Sequence, residues 1–275
     1  MRAADLERPF HGVRMQRDLH AHPLRSYIER MAPHAFFSHA TAALIWGFPL
    51  PDRVRGRQLH VCVLKPARAP RLAGVVGHHC MPGSVSVVTR DGIRVTAPAD
   101  TWCALSTLIT LDELVIAGNW LVKRKKPLVT LETLDAAARA YAGRPGARLL
   151  GEAIALVRPR TDSPRETCLR LTLVRAGLPE PTVNFAICDA AGNFVAFGDL
   201  AYVEQKVLVE YDGEHHREDE DQFNRDVDRL DDIMQLEWRV VRINKSHSTS
   251  QVVAKVTAAL LARGWIRSRS GSKLG

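Results

Sequence analysis

Three carboxylates stand inside stretches that otherwise read as buried β-strands: Asp199 in FVAFGDLAYV, and Glu210 and Asp212 in KVLVEYDG. Asp and Glu are depleted from strands and shun dry interiors unless paired. A fold that keeps these strands must bring the carboxylates a cation or a proton. Side chains alternate across a strand, so Leu208, Glu210 and Asp212 share one face, and Val207, Val209 and Tyr211 the other. If the two strands pair as a hairpin around Glu204–Gln205, Asp199 and Glu210 come close to opposite each other. Three oxygen donors at a strand end stopped by Gly213 suit a hard cation such as Mg²⁺.

The surrounding sequence supplies the rest of an α/β unit. SPRETCLRLTLVRAG reads as a helix with Ser163 as N-cap and Pro164 in its first turn. The strands TVNFAI, FVAFGDLAYV and KVLVEYDG follow. A helix is expected from about residue 218 to 236, with Phe223, Val227, Leu230 and Met234 as its apolar stripe. RVVRI is a further strand and SQVVAKVTAALLAR the last helix. The stretch TDSP at 161–164 marks a boundary, giving domains 1–160 and 161–275, with a basic tail from about 266.

Before that boundary the chain mixes short helices and strands, the pattern of a mixed α/β domain. Ser38–Trp46 reads as a helix closed by Gly47, and LHVCVL and VVGHHC read as strands. ADTWCALSTL, LDELVIAGNWLV and TLETLDAAARAYAG read as helices, the last capped by Thr130 and Gly143. Trp46, Trp102 and Trp120 fall in apolar helical contexts and read as core. His78, His79 and Cys80 look like ligands, but no second pair lies at zinc spacing, so they read as strand polar residues.

Charge narrows the function classes. The chain carries a net +8, yet residues 199–237 hold 14 acidic and 4 basic side chains. A basic body around one acidic patch suits a phosphodiesterase, because basic surface attracts the polyanion and carboxylates hold a cation. The same charges also describe a basic protein with one acidic surface helix. The five cysteines form no C-x-x-C pair and read as reduced, buried thiols of a cytoplasmic protein. No signal peptide or membrane span is expected.

The stretch from GDLAY through LVEYDGEHH to FNRDVDRLDDIMQLEWRVVRI resembles the domain family related to very-short-patch-repair endonucleases, within the PD-(D/E)XK superfamily. The resemblance covers roughly residues 163–262. It implies a restriction-endonuclease-like domain, a mixed sheet flanked by helices, that cuts DNA with Mg²⁺ or Mn²⁺. By position, Asp199 and Glu210 correspond to metal ligands, His216 to the family histidine, and Glu166 to an acidic residue on the first helix. Arg225 and Asp226 match helix positions after the histidine. Asp212 stands where many of these nucleases have the lysine of E-x-K. Lys206 and Lys245 are candidates for that missing charge and, with Arg225, for phosphate binding.

Less specific readings stand beside these. Ser163-x-x-Glu166 is also a capping box, in which Glu166 serves only backbone N–H groups. Arg225, Asp226 and Arg229 also fit a solvated helix face. The segment FFSHATAALIWGFPLP, with LHVCVL, DGIRVTAPADTWCALSTL and ELVIAGNWLV, resembles the C-terminal region of abortive-infection type IV antitoxins, over about residues 34–125. Asn119 departs from the Asp of that pattern. The expected function is a metal-dependent DNA endonuclease. The alternative is a catalytically inactive nuclease-fold DNA binder or antitoxin-like regulator, with a toxin or a second copy as possible partner.

Overall fold

A computed structural model of the 275-residue chain describes residues 6–7, 15–16, 23–56, 58–212 and 229–267. The chain is mixed α/β and divides into two compact units. One comprises residues 1–121 and 127–157, the other residues 122–126 and 158–275. The division falls a few residues before TDSP, and the short segment Val122–Lys126 goes with the second unit. No described helix is long and apolar enough to cross a membrane.

The first unit opens with a two-stranded ladder, β1 (Leu6–Glu7) and β2 (Met15–Gln16), and helix α1 (Pro23–Ile28). Its main sheet contains β3 (Phe36–Phe37), β4 (Leu59–Leu64), β5 (Val75–Cys80), β6 (Val87–Arg90) and β7 (Ile93–Thr96), in the order β5-β4-β3-β7-β6. β4 runs parallel to β5 and antiparallel to β3. Helices α2 (His39–Trp46), α3 (Pro98–Leu105), α4 (Leu111–Leu121), α5 (Leu131–Ala140) and α6 (Ala147–Leu156) complete the unit. Phe37, Val61, Val63 and Val95 pack with Tyr27 and Ala42 in the sheet core.

Among the helices, Trp102, Leu105, Leu114, Leu121, Leu134 and Leu150 are fully buried. The indole N–H of Trp102 donates to the carbonyl of Leu114 at 2.8 Å, which satisfies its one polar atom. Gly118 makes this packing possible. A Cβ there would lie 2.6 Å from Val157 Cγ2 and 3.2 Å from Trp102 Nε1. Gly118→Ala is expected to cost about 1–3 kcal/mol by overpacking, despite the better helix propensity of Ala. Urea denaturation of the two proteins checks this; equal midpoints would mean that the wall of the core yields freely.

The second unit contains α7 (Pro164–Arg175), β8 (Thr182–Cys188), β9 (Phe194–Tyr202), β10 (Val207–Tyr211), a helix α8 described over residues 229–235, β11 (Arg239–Ile243) and α9 (Thr249–Leu261). The sheet order is β11-β10-β9-β8, antiparallel except for the parallel pair β10/β11. Leu169 and Leu173 of α7 and Val252, Val256 and Leu260 of α9 pack with Leu200, Val207, Val209 and Val241. On the other face Ile187, Ala196, Ala201 and Leu208 meet Ile233 and Trp238. Helices thus cover both faces.

Two expectations need correcting. Ile233, not Met234, carries the apolar contact of α8; Met234 is exposed. Trp238, just before β11, completes the cluster that Ile233 enters, and this fixes which side of the helix turns inward. Phe223 and Val227 lie outside the described residues. Of the five cysteines, Cys168 and Cys188 are exposed and only Cys62 and Cys103 are buried.

One irregularity positions the site. Ile187 and Ala196 belong to the Ile233 face, whereas Val183 and Leu200 pack with α7 and α9. Within each strand these residues are separated by an even number of positions, so a regular strand would put them on one face. The register passes from Val183↔Leu200 to Phe185↔Gly198, and Asn184 between them has φ +46°. Asn tolerates this left-handed conformation better than other side-chain-bearing residues. The strand pair changes face at Asn184, opposite Asp199.

Candidate active site

The described acidic site lies where α7 begins and β9 changes face. Ser163, with φ −140° and ψ 154°, caps α7 by accepting the N–H of Glu166 at 3.2 Å. The Ser163 hydroxyl also lies against the Glu166 carboxylate, which takes the N–H of Asp162 rather than the Ser163 N–H that a reciprocal capping box requires. Its Oε2 accepts the N–H of Asp162 at 3.0 Å and the Asn184 side-chain amide at 3.2 Å. Asn184 also donates to the carbonyl of Arg160 at 2.8 Å. Glu166 is 6% exposed, and burial raises its carboxyl above the usual range, opposed by these N–H donors and reinforced by Asp162.

Asp199 follows from the β9/β10 register. The pairs Val207↔Tyr202, Leu208↔Ala201 and Val209↔Leu200 make Asp199 and Glu210 the next opposed positions. Asp199 Oδ2 accepts the N–H of Tyr211 at 3.0 Å. Burial pushes the Asp199 carboxyl up to about 7, with Glu166 and then Glu210 adding repulsion. The Tyr211 N–H and the Arg229 charge pull the other way. Glu210 is 9% exposed, and Arg229 of α8 grips it with two bonds, Nη1 to Oε1 at 3.1 Å and Nη2 to Oε2 at 2.7 Å. Arg229 Nη1 also reaches the carbonyl of Phe197 at 3.2 Å.

The other candidates fall elsewhere. Asp212 pairs with Arg242 at 2.9 Å, and its N–H bonds the carbonyl of Ile243 at 2.7 Å. Lys206 sits in the β9–β10 turn, beyond the opposite end of β10 from Glu210's neighbour Tyr211. Its ammonium bonds the carbonyl of Leu236 at 3.2 Å and Glu237 at 3.3 Å. Lys245 follows β11, at the strand end where Asp212 bonds Ile243. His215, His216, Arg225 and Asp226 lie outside the described residues.

Sequence reasoning missed Asn184 and the pairing role of Arg229. A turn-favouring Asn within TVNFAI was the available signal for the first. Arg229 reads as part of a charged helix face, and nothing local says that it reaches a strand carboxylate. Asn184→Ala removes the amide that holds Glu166 and places Ala in a left-handed conformation, at an expected cost of about 1–3 kcal/mol. Asn184→Gly, measured beside it by thermal unfolding, keeps the backbone freedom and isolates the side-chain share. Equal loss in both would assign the whole effect to the amide.

Oxygen donors of this kind match a hard divalent cation. Burial first, and then repulsion from Glu166 and Glu210, make Asp199 hard to ionise, and a cation bound there would relieve that repulsion. Glu166, Asp199 and Glu210 do not have ligand atoms that all lie within 4.8 Å; among the described residues that criterion is met by His39, His60 and His78 of the first unit. A cation shared by Asp199 and Glu210 must also take over at least one Glu210 oxygen from Arg229. The chain matches no model of a known protein family, and comparison with curated proteins finds no match.

Proposed function

We propose that the second unit is a metal-dependent endodeoxyribonuclease whose cation is held by Asp199 and Glu210. The observation that carries this reading is the opposition of Asp199 on β9 and the buried Glu210 on β10, with Glu166 close enough to add repulsion at Asp199. Such crowding is costly in a merely structural core. The resemblance to very-short-patch-repair-type nucleases points the same way, as does the basic charge of the rest of the chain.

Bound there, Mg²⁺ or Mn²⁺ would polarise the scissile phosphate and acidify the attacking water. The chain's own residues prepare the place. Asn184 and the Asp162 N–H fix Glu166, and the Tyr211 N–H holds one oxygen of Asp199. Arg229 neutralises Glu210 until a cation competes for it. Phosphate contacts position DNA without reading it, so any sequence preference lies outside these carboxylates.

The inactive DNA-binding reading, with an antitoxin-like regulatory role, has its own support. Both Glu210 oxygens are taken by Arg229, and Asp212, where a lysine is common, is paired with Arg242. Supercoiled plasmid and single-stranded DNA, incubated with the full chain in Mg²⁺, Mn²⁺ or EDTA, separate the two. Metal-dependent nicking lost in Asp199→Ala is the expected result. Salt-sensitive DNA binding that survives Asp199→Ala, with no cleavage of either DNA, would establish the regulator instead.

A further inference from the structure

The first unit gathers a second set of ligand-type side chains. β4 and β5 pair in parallel with Cys62 opposite His78 and Leu64 opposite Cys80. Alternation therefore puts His60 and Cys62 of β4 and His78 and Cys80 of β5 on one face of the pair. His39, the first residue of α2, lies against them with φ +49°. Its ring stacks on His78 at 3.8 Å between centroids and lies 5.5 Å from His60. His60 and His78 stack at 5.2 Å, and His60 Nδ1 is 3.0 Å from His78 Nε2. One ligand nitrogen from each ring lies within 4.8 Å of the others.

This arrangement is expensive for a sheet face that could have been apolar. Imidazoles removed from water need partners for their ring nitrogens. The contacts that hold the rings are largely mutual: His60 to His78, and His39 Nδ1 to Ser38 Oγ at 2.9 Å. The cluster also has an outlet. A cleft of about 500 Å³ is lined by His39, His78, Cys80, Asp100, Tyr141 and Arg144.

We propose that His39, His60 and His78 form a three-imidazole site for a late first-row divalent cation of the zinc class, with its fourth position open to the cleft. Nitrogen donors select Zn²⁺, Co²⁺, Ni²⁺ or Cu²⁺ over Mg²⁺, so this site and the carboxylate site would not compete for one ion. Bonds of about 2.1 Å set tetrahedral nitrogens about 3.4 Å apart. Binding requires the rings to rotate out of the stack so that the three donors reach that spacing. The proton shared between His60 and His78 moves to a ring nitrogen facing away from the ion. The open position takes water or a small anion, toward which Arg144 contributes its charge.

The test is a titration of the full chain with Co²⁺ in excess Mg²⁺, which keeps the carboxylates occupied. The expected result is one equivalent of Co²⁺ with the intense visible bands of four-coordinate nitrogen ligation. It should be displaced by Zn²⁺ and lost in the His39→Asn and His78→Asn variants. Zn²⁺ should also raise the Tm of the wild-type chain, a readout that needs no variant to fold. No tight Co²⁺ uptake by the wild type, or uptake unchanged when both histidines are replaced, overturns the site. A thiolate-to-cobalt band lost in Cys62→Ser/Cys80→Ser also overturns it, in favour of the neighbouring sulfurs, which lie 2.9 Å apart.

Discussion

Replacing Asp199 by Asn is expected to stabilise the protein at pH 8 by up to about 4 kcal/mol while abolishing metal-dependent cleavage. The carboxyl sits at about 7 in the folded chain against an ordinary value of 3.8. Between those values the folded state binds more protons than the unfolded state, so stability falls as pH rises through this window. The advantage of the protonated form is fully present below about pH 4 and lost above about pH 7. Asn carries no charge to desolvate and still accepts the Tyr211 N–H through its amide oxygen. Wild type and Asp199→Asn should therefore have similar stability at pH 4 and diverge by pH 8. Mg²⁺ should narrow the gap at pH 8 by stabilising the wild type alone, because a ligand of the folded state adds to its stability. Urea unfolding at the two pH values, with and without Mg²⁺, checks all three. An Asn variant no more stable than wild type at pH 8 would remove the argument from the burial and crowding of Asp199. The expected loss of cleavage is roughly a thousandfold or more, equivalent to about 4 kcal/mol of transition-state stabilisation.

Arg229→Met should move the protein in the opposite direction. Glu210 has a side chain only 12% exposed, and Arg229 is its bidentate partner. Stranding one member of a buried pair costs about 3–5 kcal/mol. Arg229 is itself 33% exposed, so solvent screening reduces the expected loss to about 2–3 kcal/mol. The same substitution frees both Glu210 oxygens. Mg²⁺ should then bind the variant more tightly than the wild type and recover part of the lost stability. Calorimetric titration and thermal unfolding in Mg²⁺ read both effects. A variant that loses stability and gains no metal affinity would make Arg229 a permanent substitute for the cation, the arrangement of an inactive nuclease fold.

The fold of the second unit was legible because its signals are local. Ser163 and Pro164 mark a helix start, the carboxylate-bearing strands announce themselves by apolar alternation, and both properties survive into the structure. The opposition of Asp199 and Glu210 was legible too, since a short hairpin fixes register. What escaped is what depends on distant partners. Arg229 is bound to Glu210 across 19 positions and Arg242 to Asp212 across 30. Neither spacing has a local signature. The histidine cluster had a faint one: His-x-Cys occurs in both β4 and β5, at positions of equal parity. Its third member, His39, sits on a helix and joins only through tertiary packing.

The second unit reaches back into the first half of the chain for five of its residues, Val122–Lys126. Val122 accepts the N–H of Arg160, and Arg124 pairs with Asp162 and lies over the ring of Phe197. Asp162 in turn donates its N–H to Glu166. A single cut at the apparent boundary therefore does not release the second unit intact. It strips away the cation that steadies the start of α7. Recombination at that boundary would inherit the same defect, so this unit travels poorly between genes unless the donor's preceding segment travels with it.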